Sequence, residues 1–429
     1  MLVEGLVRRG HQAAVVGPGS VEEAFSFRAA GASFAEVPVS DRPHPLNDLR
    51  AVLAIRRLTR AADVVHAHGL RAGALASLAL RATGSRTTRH PGAESQGTRR
   101  QGTGQQKAGG SGARSEEAGG LGARSEEAGR PGGMHHEAGW GGGRGRRGPE
   151  RGAGRSGGKG RERAVGRLGG KGPGVVVTLH NALTAGGFVG FVYGVLERIV
   201  ARRADRVLVV SPDLAERMTV LGAREVEEAV VPAPPLRPAR RTPEEVREEL
   251  GTGDRPLVLT IARLAQQKGL DTLLDVAAGP WETPKPLFAV AGEGPLRDEL
   301  QDRIRARSLP VLLLGDRDDV PDLLAAASVV VNCSRWEGLP LSLSEALTAG
   351  KPVIASAVGG IPWLVGDAGT LVPYGDAEGL RSALRKVLDE PEVARTLSEA
   401  AARRGRELPD GDDAVESVLG VYEAARSNG

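Results

Sequence analysis

Short runs of apolar residues, most of them β-branched, alternate with helical patterns over most of the 429-residue chain. Such runs are typical of strands that are buried on both faces of a parallel sheet. Helices predicted at 48–60, 70–82 and 191–203 separate the runs of the N-terminal half. The alternation predicts a doubly wound α/β fold. Its predicted strands are 13–16, 63–67, 175–179 and 206–210, then 257–262, 287–291, 311–314, 329–331 and 352–355.

A proline-rich stretch from Val231 to Pro238 divides this alternation into two halves. Thr242, Pro243 and Glu245 follow the stretch in the order of a helix N-cap, a first helical residue and a capping-box glutamate. We therefore expect a helix to begin there. Two Rossmann-like halves joined by a linker place a cleft between them, at the carboxyl ends of their strands. The functional residues are expected at those strand ends.

Residues 86–172 differ in composition from the rest of the chain. Between Gly84 and Gly174, 30 of 91 residues are glycine, and 18 Lys and Arg stand against 8 Asp and Glu. A segment with so few large apolar residues cannot bury enough surface to offset its chain entropy. We expect a disordered insertion that interrupts one N-terminal domain, formed by residues 1–85 and 173–232.

The basic excess belongs to this insertion, because the rest of the chain holds 39 basic and 45 acidic residues. An RNA-binding or scaffold protein that acts through the run from Arg144 to Gly148 is the competing function from another class. Its segment has Trp140 as its one aromatic residue, too few for stacking on bases, so nucleic acid is not the expected partner.

Cys333 is the single cysteine, so an intramolecular disulfide is excluded. The chain shows neither the pattern of a secretory leader nor a run of 18 apolar residues. These observations favour a cytoplasmic location, the inner face of the membrane included. The stripe of Phe188, Phe191, Val192, Val195 and Leu196 ahead of Arg198 favours a core-facing helix over a membrane-surface helix.

Two basic residues flank the loop after the first strand of the C-terminal half. Arg263 follows the strand and Lys268 precedes a helix predicted at 270–278. Free N–H groups at a helix start favour an anion, so the pattern fits a diphosphate site. Two solvated charges on a loop explain the spacing equally well.

Two glutamates, Glu337 and Glu345, stand eight residues apart at a strand-to-helix junction. On one helix that spacing corresponds to about 12 Å, too far for the carboxylate pair of a glycoside hydrolase, so they would hold two parts of one long ligand. Between them Gly338 and Leu339 offer backbone N–H groups to a phosphate. Glu345 could equally be a helix surface residue.

Two histidines, His68 and His180, end predicted strands of the N-terminal half. A lone histidine at a strand end is more often structural than catalytic. Asp316, Arg317 and Asp318 form an Asp-x-Asp pattern, which in other proteins binds a metal ion.

The order of these motifs resembles the retaining glycosyltransferases of family 4, which have the GT-B fold of two facing Rossmann-like domains. The match is dense over roughly residues 255–375 and sparser through 1–82 and 174–232. Its motifs are Arg263 with Lys268, then 291–295, 334–338 with Glu345, 350–355 and 359–362.

The resemblance implies a role for each candidate residue of the C-terminal half. In that family the residues that match Arg263 and Lys268 hold the nucleotide diphosphate. The match to Glu337 holds hydroxyls of the donor sugar, and the match to Glu345 holds the ribose.

The resemblance also implies roles on the acceptor side. His180 is expected near the acceptor and the reacting carbon, with His68 as a further acceptor-side candidate. Arg317 falls in the loop that contacts the nucleobase, so we expect neither a metal nor another cofactor. The expected substrates are a nucleotide diphosphate sugar and a glycan, a lipid or a small-molecule acceptor.

The expected domain order follows. Residues 233–410 form the nucleotide-sugar-binding domain, and a helix at 411–429 packs back toward the N-terminal domain. Proteins of this family begin with a strand and a glycine-rich loop ahead of the helix that starts here at Leu2, so we expect the central strand of the first sheet to be missing. The expected activity is sugar transfer with retention of anomeric configuration, and the alternative is a fold relative with impaired catalysis.

Overall fold

The computed structural model of the chain describes residues 1–37, 45–81, 172–181 and 187–428. The predicted disordered insertion lies outside these residues, except for Gly172. Every strand pair in the described part of the chain is parallel, as the buried apolar runs predict. The fold is therefore the predicted α/β fold.

The N-terminal half alternates strands with helices from its first residues onward. Its helices are α1 (Leu2–Arg8), α2 (Gly19–Phe25), α3 (Pro45–Leu58), α4 (Leu70–Arg81), α5 (Gly187–Arg203) and α6 (Pro212–Val220). Its strands are β1 (Ala14–Gly17), β2 (Ser33–Glu36), β3 (Val64–His68), β4 (Gly174–Leu179), β5 (Arg206–Val209) and β6 (Val226–Glu228).

The strands of this half form two separate parallel sheets. One has the order β3-β4-β5-β6, and the other pairs β1 with β2. In the described residues β1 and β3 therefore each keep one edge without a strand partner. Strand β4 is buried along its whole length, because α4 and α15 (Gly411–Asn428) cover it.

The C-terminal half repeats the alternation after the proline-rich stretch. Its remaining helices are α7 (Pro243–Glu249), α8 (Leu270–Ala277), α9 (Arg297–Ala306), α10 (Val320–Ala326), α11 (Leu341–Thr348), α12 (Ile361–Val365), α13 (Ala377–Asp389) and α14 (Pro391–Glu407). Its strands are β7 (Leu257–Ile261), β8 (Leu287–Ala291), β9 (Val311–Gly315), β10 (Val329–Asn332), β11 (Val353–Ser356) and β12 (Thr370–Val372).

The predicted capping box at the start of α7 is confirmed. The Thr242 hydroxyl accepts a hydrogen bond from the backbone N–H of Glu245 at 3.2 Å. The Glu245 carboxylate accepts one in return from the backbone N–H of Thr242 at 2.8 Å. The two bonds satisfy N–H groups that the first helical turn leaves free, so the helix begins where the sequence predicts it.

The C-terminal sheet has the order β12-β11-β10-β7-β8-β9. Strands β8 and β9 follow β7 on one side of it, whereas β10, β11 and β12 follow one another on its other side. The switch point therefore lies between β7 and β10. In sheets of this kind ligands bind outside the carboxyl ends of the strands at this point. The loop with Arg263 and Lys268 leaves β7, and the loop with Glu337 leaves β10.

Helix α15 leaves the C-terminal half and packs against β3, β4 and α1 of the N-terminal half. Its Val421 and Ala425 are buried in the same hydrophobic cluster as the strand residues Val175 and Val177. The Tyr422 hydroxyl lies 2.9 Å from His66 Nδ1 on β3. These contacts tie the end of the chain to the first sheet.

Helix α5 corrects the prediction of a core-facing apolar stripe. Leu196 packs on the hydrophobic cluster of the first sheet, in line with that prediction. Phe188, Phe191 and Val195 are exposed, so the prediction is wrong for these three residues. They lie three and four positions apart and form the outer face of the helix, whereas the sequence pattern alone does not distinguish an inward from an outward apolar stripe.

Candidate functional site

A cleft of about 490 Å³ opens at the carboxyl ends of β7, β8 and β9. The side chains of Arg263 and Lys268 line it beside Arg317, so three of the predicted site residues share one cavity. Arg263 is exposed and has no ion-pair partner within the described ranges. A free guanidinium at a strand end is a ready binding group for an anionic ligand.

Glu337 completes this cluster from the loop after β10. Its carboxylate is buried, and its Oε1 lies 2.5 Å from Lys268 Nζ and 2.6 Å from the Ser334 hydroxyl. The ion pair joins the two loops at the switch point. Glu337 precedes α11 and is not part of it, so the continuous-helix spacing considered for Glu337 and Glu345 does not apply.

Three side chains without a predicted role hold the Glu337 loop. The Gln267 side chain donates a hydrogen bond to the Trp336 carbonyl at 2.8 Å, and the Ser334 hydroxyl donates to Glu337. The indole N–H of Trp336 donates to Asp213 Oδ2 at 2.6 Å, on α6 of the N-terminal half. Gln267 directly precedes Lys268, and Ser334 and Trp336 lie within the motif at 334–338; these positions are the signal in the sequence that could have identified them.

Close backbone contacts fix both loops. Gly269 has a φ of +60°, and a Cβ at this position would lie 2.1 Å from the Cys333 carbonyl oxygen. Gly359 has a φ of +55°, and its Cβ would lie 1.8 Å from the Glu337 carbonyl oxygen. Since a residue with a Cβ does not fit such contacts, both glycines are required for the present loop geometry.

Gly338 and Leu339 follow Glu337 and precede α11. Neither backbone N–H donates a hydrogen bond within the described part of the chain, so both are free to meet a ligand. Gly338 is buried against the N-terminal half, because a Cβ on it would lie 2.6 Å from a methyl group of Val210 and 3.1 Å from the His180 carbonyl oxygen. His180 and the Glu337 loop are therefore neighbours.

Glu345 lies on α11 and is half-buried. Burial raises the pKa of its carboxyl group. No side chain of the described residues forms an ion pair or hydrogen bond with it. A half-buried acceptor without a protein donor is suited to a ligand hydroxyl.

Arg317 lines the cleft but is anchored by carboxylates. Its Nη1 lies 2.9 Å from Glu249 Oε1, and its Nη2 lies 2.6 Å from Asp319 Oδ2. Hydrogen bonds to Asp319 and then Glu249 raise the pKa of the guanidinium above its ordinary value. Arg241 also pairs with both carboxylates, so the loop after β9 is tied to α7.

Three histidines meet at the carboxyl end of β3 and β4. His68 Nδ1 lies 3.2 Å from His180 Nε2, and the two rings are stacked. His66 lies next to the His68 ring, with its Nε2 2.6 Å from the Thr178 hydroxyl. The structure thus brings together the two histidines that the sequence predicts for the acceptor side.

Burial lowers the pKa of all three imidazoles. Burial, and then the neighbouring His68 and His180, lower the pKa of His66 to about 3. Burial, and then His180, lower that of His68 to about 4, and burial lowers that of His180. At neutral pH the three rings are uncharged, so the His68–His180 contact is a hydrogen bond between neutral rings.

No cluster of three or more His, Cys, Asp or Glu that could hold a metal ion occurs among the described residues. Asp316 and Arg317 of the Asp-x-Asp pattern both line the cleft, and the Arg317 guanidinium pairs with Asp319 and Glu249. The absence of a catalytic metal stays a prediction. No helix in the described ranges is long and apolar enough to cross a membrane.

Two family models match the chain. The model for group 1 glycosyl transferases matches residues 242–404. The model for the glycosyl transferase 4-like domain matches residues 1–123 and 161–234. The two matches divide at the proline-rich stretch, which also separates the two N-terminal sheets from the C-terminal sheet.

Curated relatives include the alpha-D-kanosaminyltransferase of Streptomyces kanamyceticus. It is 31% identical over 191 residues, 43% of this chain and 49% of the relative. The 2-deoxystreptamine N-acetyl-D-glucosaminyltransferase of Streptomyces fradiae is 33% identical over 251 residues, 53% of this chain and 58% of the relative. The chain thus spans about half the length of these relatives.

Solved structures share the fold. The Anabaena protein Alr3699/HepE in complex with UDP has a TM-score of 0.66 at 17% identity, covering 99% of this chain and 95% of its own. The sucrose-phosphate synthase of Thermosynechococcus elongatus has a TM-score of 0.52 at 24% identity, covering 60% and 69%. With the parallel sheets of the two halves described above, these similarities show that the fold is GT-B.

Proposed function

We propose a sugar transfer reaction for this chain, which belongs to the GT-B glycosyltransferases by its fold and by the family models that match its two halves. The donor is a nucleotide diphosphate sugar, and the transfer retains the anomeric configuration. The observation that carries the proposal is the meeting of Arg263, Lys268 and Glu337 at the switch point of the second sheet.

The diphosphate binds to Arg263 and Lys268. As the bond from the anomeric carbon to the diphosphate oxygen breaks, the electron pair stays with the diphosphate, and the two cations stabilise the added charge. The free N–H groups of Gly338 and Leu339 also stabilise the negative charge on the diphosphate. Lys268 keeps its contact with Glu337, so its ammonium group is held toward the cleft.

Glu337 and Glu345 bind hydroxyl groups of the donor. Glu337 accepts hydrogen bonds from the transferred sugar, because one of its oxygens already contacts Lys268 and Ser334 and the other has no hydrogen-bond partner in the described part of the chain. Glu345, which has no side-chain partner in the described residues, accepts from the ribose. Arg317 borders the nucleobase and keeps the loop after β9 in place through Asp319.

The acceptor hydroxyl approaches from the side of His180. Its oxygen forms the new bond to the anomeric carbon, and its proton passes to the departing phosphate on the same face. His180, neutral at pH 7, accepts or donates a hydrogen bond to the acceptor, and His68 orients its ring. This arrangement requires neither a metal ion nor another cofactor.

The donor is identified by incubating the protein with UDP-, GDP- and ADP-sugars and following nucleotide release. UDP-glucose is the first donor to test, because the structural neighbour Alr3699/HepE has been solved with UDP and with UDP-glucose. The anomeric configuration of the product, read by NMR, tests retention. No turnover with any donor would contradict the proposal.

Glu337→Gln separates chemistry from binding. We expect this variant to bind the free nucleotide with unchanged affinity and to lose sugar transfer, because the sugar contact acts after the diphosphate is anchored. Equal loss of both would show that Glu337 serves nucleotide binding instead.

A further inference from the structure

Helix α3 presents leucines to solvent. Leu46, Leu49 and Leu53 are 65%, 56% and 56% exposed, and their spacing of three and four residues places them on one face. Arg50 and Arg57 are exposed on the same face. An exposed row of leucines is unusual on a protein surface that faces only water.

Helix α5 repeats this pattern with aromatic residues. Phe188 and Phe191 are 80% and 66% exposed, and Val195 follows on the same face. Arg198 and Arg202 continue the face toward the end of the helix. Both helices thus carry exposed apolar side chains and exposed arginines on one face.

The two faces belong to one layer of helices. Both α3 and α5 pack against α4, which lies between them on one side of the first sheet. Helix α3 leads into the start of β3, and α5 follows the end of β4, so both helices begin near the edge where His68 and His180 lie. The exposed apolar turns therefore border the acceptor side.

The positive charge of these two helix faces indicates which kind of partner binds them. Arg50, Arg57, Arg198 and Arg202 have no carboxylate partner among the described residues. The acidic residues of the two helices point elsewhere: Asp48 pairs with Arg71, and Glu197 is buried against Arg217. A second copy of this chain would bring arginines against arginines, whereas phosphates at a lipid surface would neutralise them.

We propose that this apolar-basic surface docks on an anionic phospholipid bilayer. It comprises Leu46, Leu49, Leu53, Phe188 and Phe191 with Arg50, Arg57, Arg198 and Arg202. The apolar side chains enter the boundary between headgroups and acyl chains, and the arginines bind lipid phosphates. The proposal does not depend on the transfer reaction, and its consequence for that reaction is that the edge with His180 lies close to lipid.

Vesicle co-flotation of the full chain without nucleotide sugar tests the docking. We expect binding to vesicles of phosphatidylcholine with 30% phosphatidylglycerol that is about tenfold or more tighter than binding to phosphatidylcholine alone. Phe188→Ser with Phe191→Ser should weaken binding to the anionic vesicles by about tenfold or more. Arg198→Gln with Arg202→Gln should weaken it by about fivefold for each arginine.

Phe25→Ser is the matched control, because Phe25 is 68% exposed on α2, outside this layer of helices. It should leave vesicle binding within about twofold of the unchanged protein. All variants keep the basic segment 86–172, so binding that is equal in every variant would assign lipid binding to another part of the chain and overturn the proposal.

Two further outcomes also contradict it. Absence of binding by the unchanged protein would exclude the lipid surface as partner. A concentration-dependent dimer in sedimentation that the Phe188→Ser and Phe191→Ser changes abolish would assign the surface to self-association. Neither outcome would affect nucleotide-sugar turnover, so the proposed function stands or falls separately.

Discussion

Lys268 and Glu337 are the residues on which the site depends most. Each comes from a different loop at the switch point, and their 2.5 Å contact lies in a place where Glu337 is shielded from solvent. A carboxylate without a partner in such a place is costly, so the cation fixes the position of both loops. The exposed Arg263 nearby has no comparable partner among the residues that the structure describes and is available to a ligand.

We expect Arg263→Ala and Lys268→Ala each to weaken nucleotide diphosphate binding by about tenfold to a hundredfold, because each removes a charge-assisted contact of about 1.5–3 kcal/mol. Calorimetry with the nucleotide that the donor panel identifies measures the effect. Lys285→Ala and Arg403→Ala, which remove a surface cation of the same type away from the cleft, serve as controls. Unchanged nucleotide affinity in both site variants would contradict the proposal that the diphosphate binds in this cleft.

His66 makes the stability of the first domain depend on pH. Its pKa is lowered to about 3 in the folded protein, first by burial, whereas an unfolded histidine titrates near 6.5. Between these values the unfolded chain binds more protons, so the contribution of His66 is fully present above about pH 6.5 and is lost as the pH falls. The loss approaches about 1.4 kcal/mol per pH unit.

Urea unfolding at pH 7.5 and pH 5.5 checks this dependence. In His66→Gln the decrease in unfolding free energy between the two pH values should be smaller than in the unchanged protein, since glutamine does not titrate. His11→Gln, which replaces an exposed histidine after α1, should leave the decrease unchanged. Identical decreases in all three proteins would contradict the assignment to His66.

Elements that are buried on both faces were predictable from the sequence, and elements at the surface less so. Strand β8 spans the residues that its apolar run predicts, because every one of its side chains is buried. Helix α5 begins four residues before its predicted start, and three of its apolar side chains face outward. The spacing of hydrophobic residues predicts that a helix is present. It predicts neither the residue at which the helix begins nor what its apolar face packs against.

Residues of the candidate site could be located from the sequence where a motif directly follows a predicted strand. Arg263, Lys268 and Glu337 meet because β7 and β10 are neighbours, and the sequence does not state that neighbourhood. The network of Arg241, Glu249 and Arg317 arises from elements far apart in the chain, so no local pattern indicates it.

A pair of glycine substitutions tests the close contact between the two loops. Gly269 and Gly253 have similar φ angles, +60° and +55°, but a Cβ at Gly269 would lie 2.1 Å from the Cys333 carbonyl oxygen, whereas a Cβ at Gly253 would meet no atom within 4 Å. Gly253→Ala should cost about 1–2 kcal/mol of unfolding free energy, from backbone strain alone. Gly269→Ala should cost several kcal/mol more and weaken nucleotide binding, because the loop must leave β10. Equal costs in urea unfolding would show that the loop moves freely.

At the scale of the whole molecule, the proline-rich stretch is one of several connections between the two halves. Helix α15 extends the chain's end across to β3 and β4, and the Trp336 indole donates to Asp213 across the halves. Glycines permit this approach, because Gly360 lies so near Val210 that its Cβ would be 2.4 Å from the Val210 carbonyl oxygen. The position of Glu337 relative to His180 therefore depends on the whole molecule.

Residues 86–172 lie between α4 and β4 in sequence. Strands β3 and β4 are parallel neighbours, and α4 packs on both, as in a β-α-β unit whose helix and second strand are usually joined by about 2–6 residues. Residues 82–85 with 173 suffice for that connection. We expect a chain without residues 86–172 to keep its circular dichroism spectrum and its nucleotide affinity within about twofold of the full chain. Salt-sensitive RNA binding that the deletion abolishes, together with failure of every nucleotide sugar, would instead favour the RNA-binding function, because that function depends on the basic run from Arg144 to Gly148.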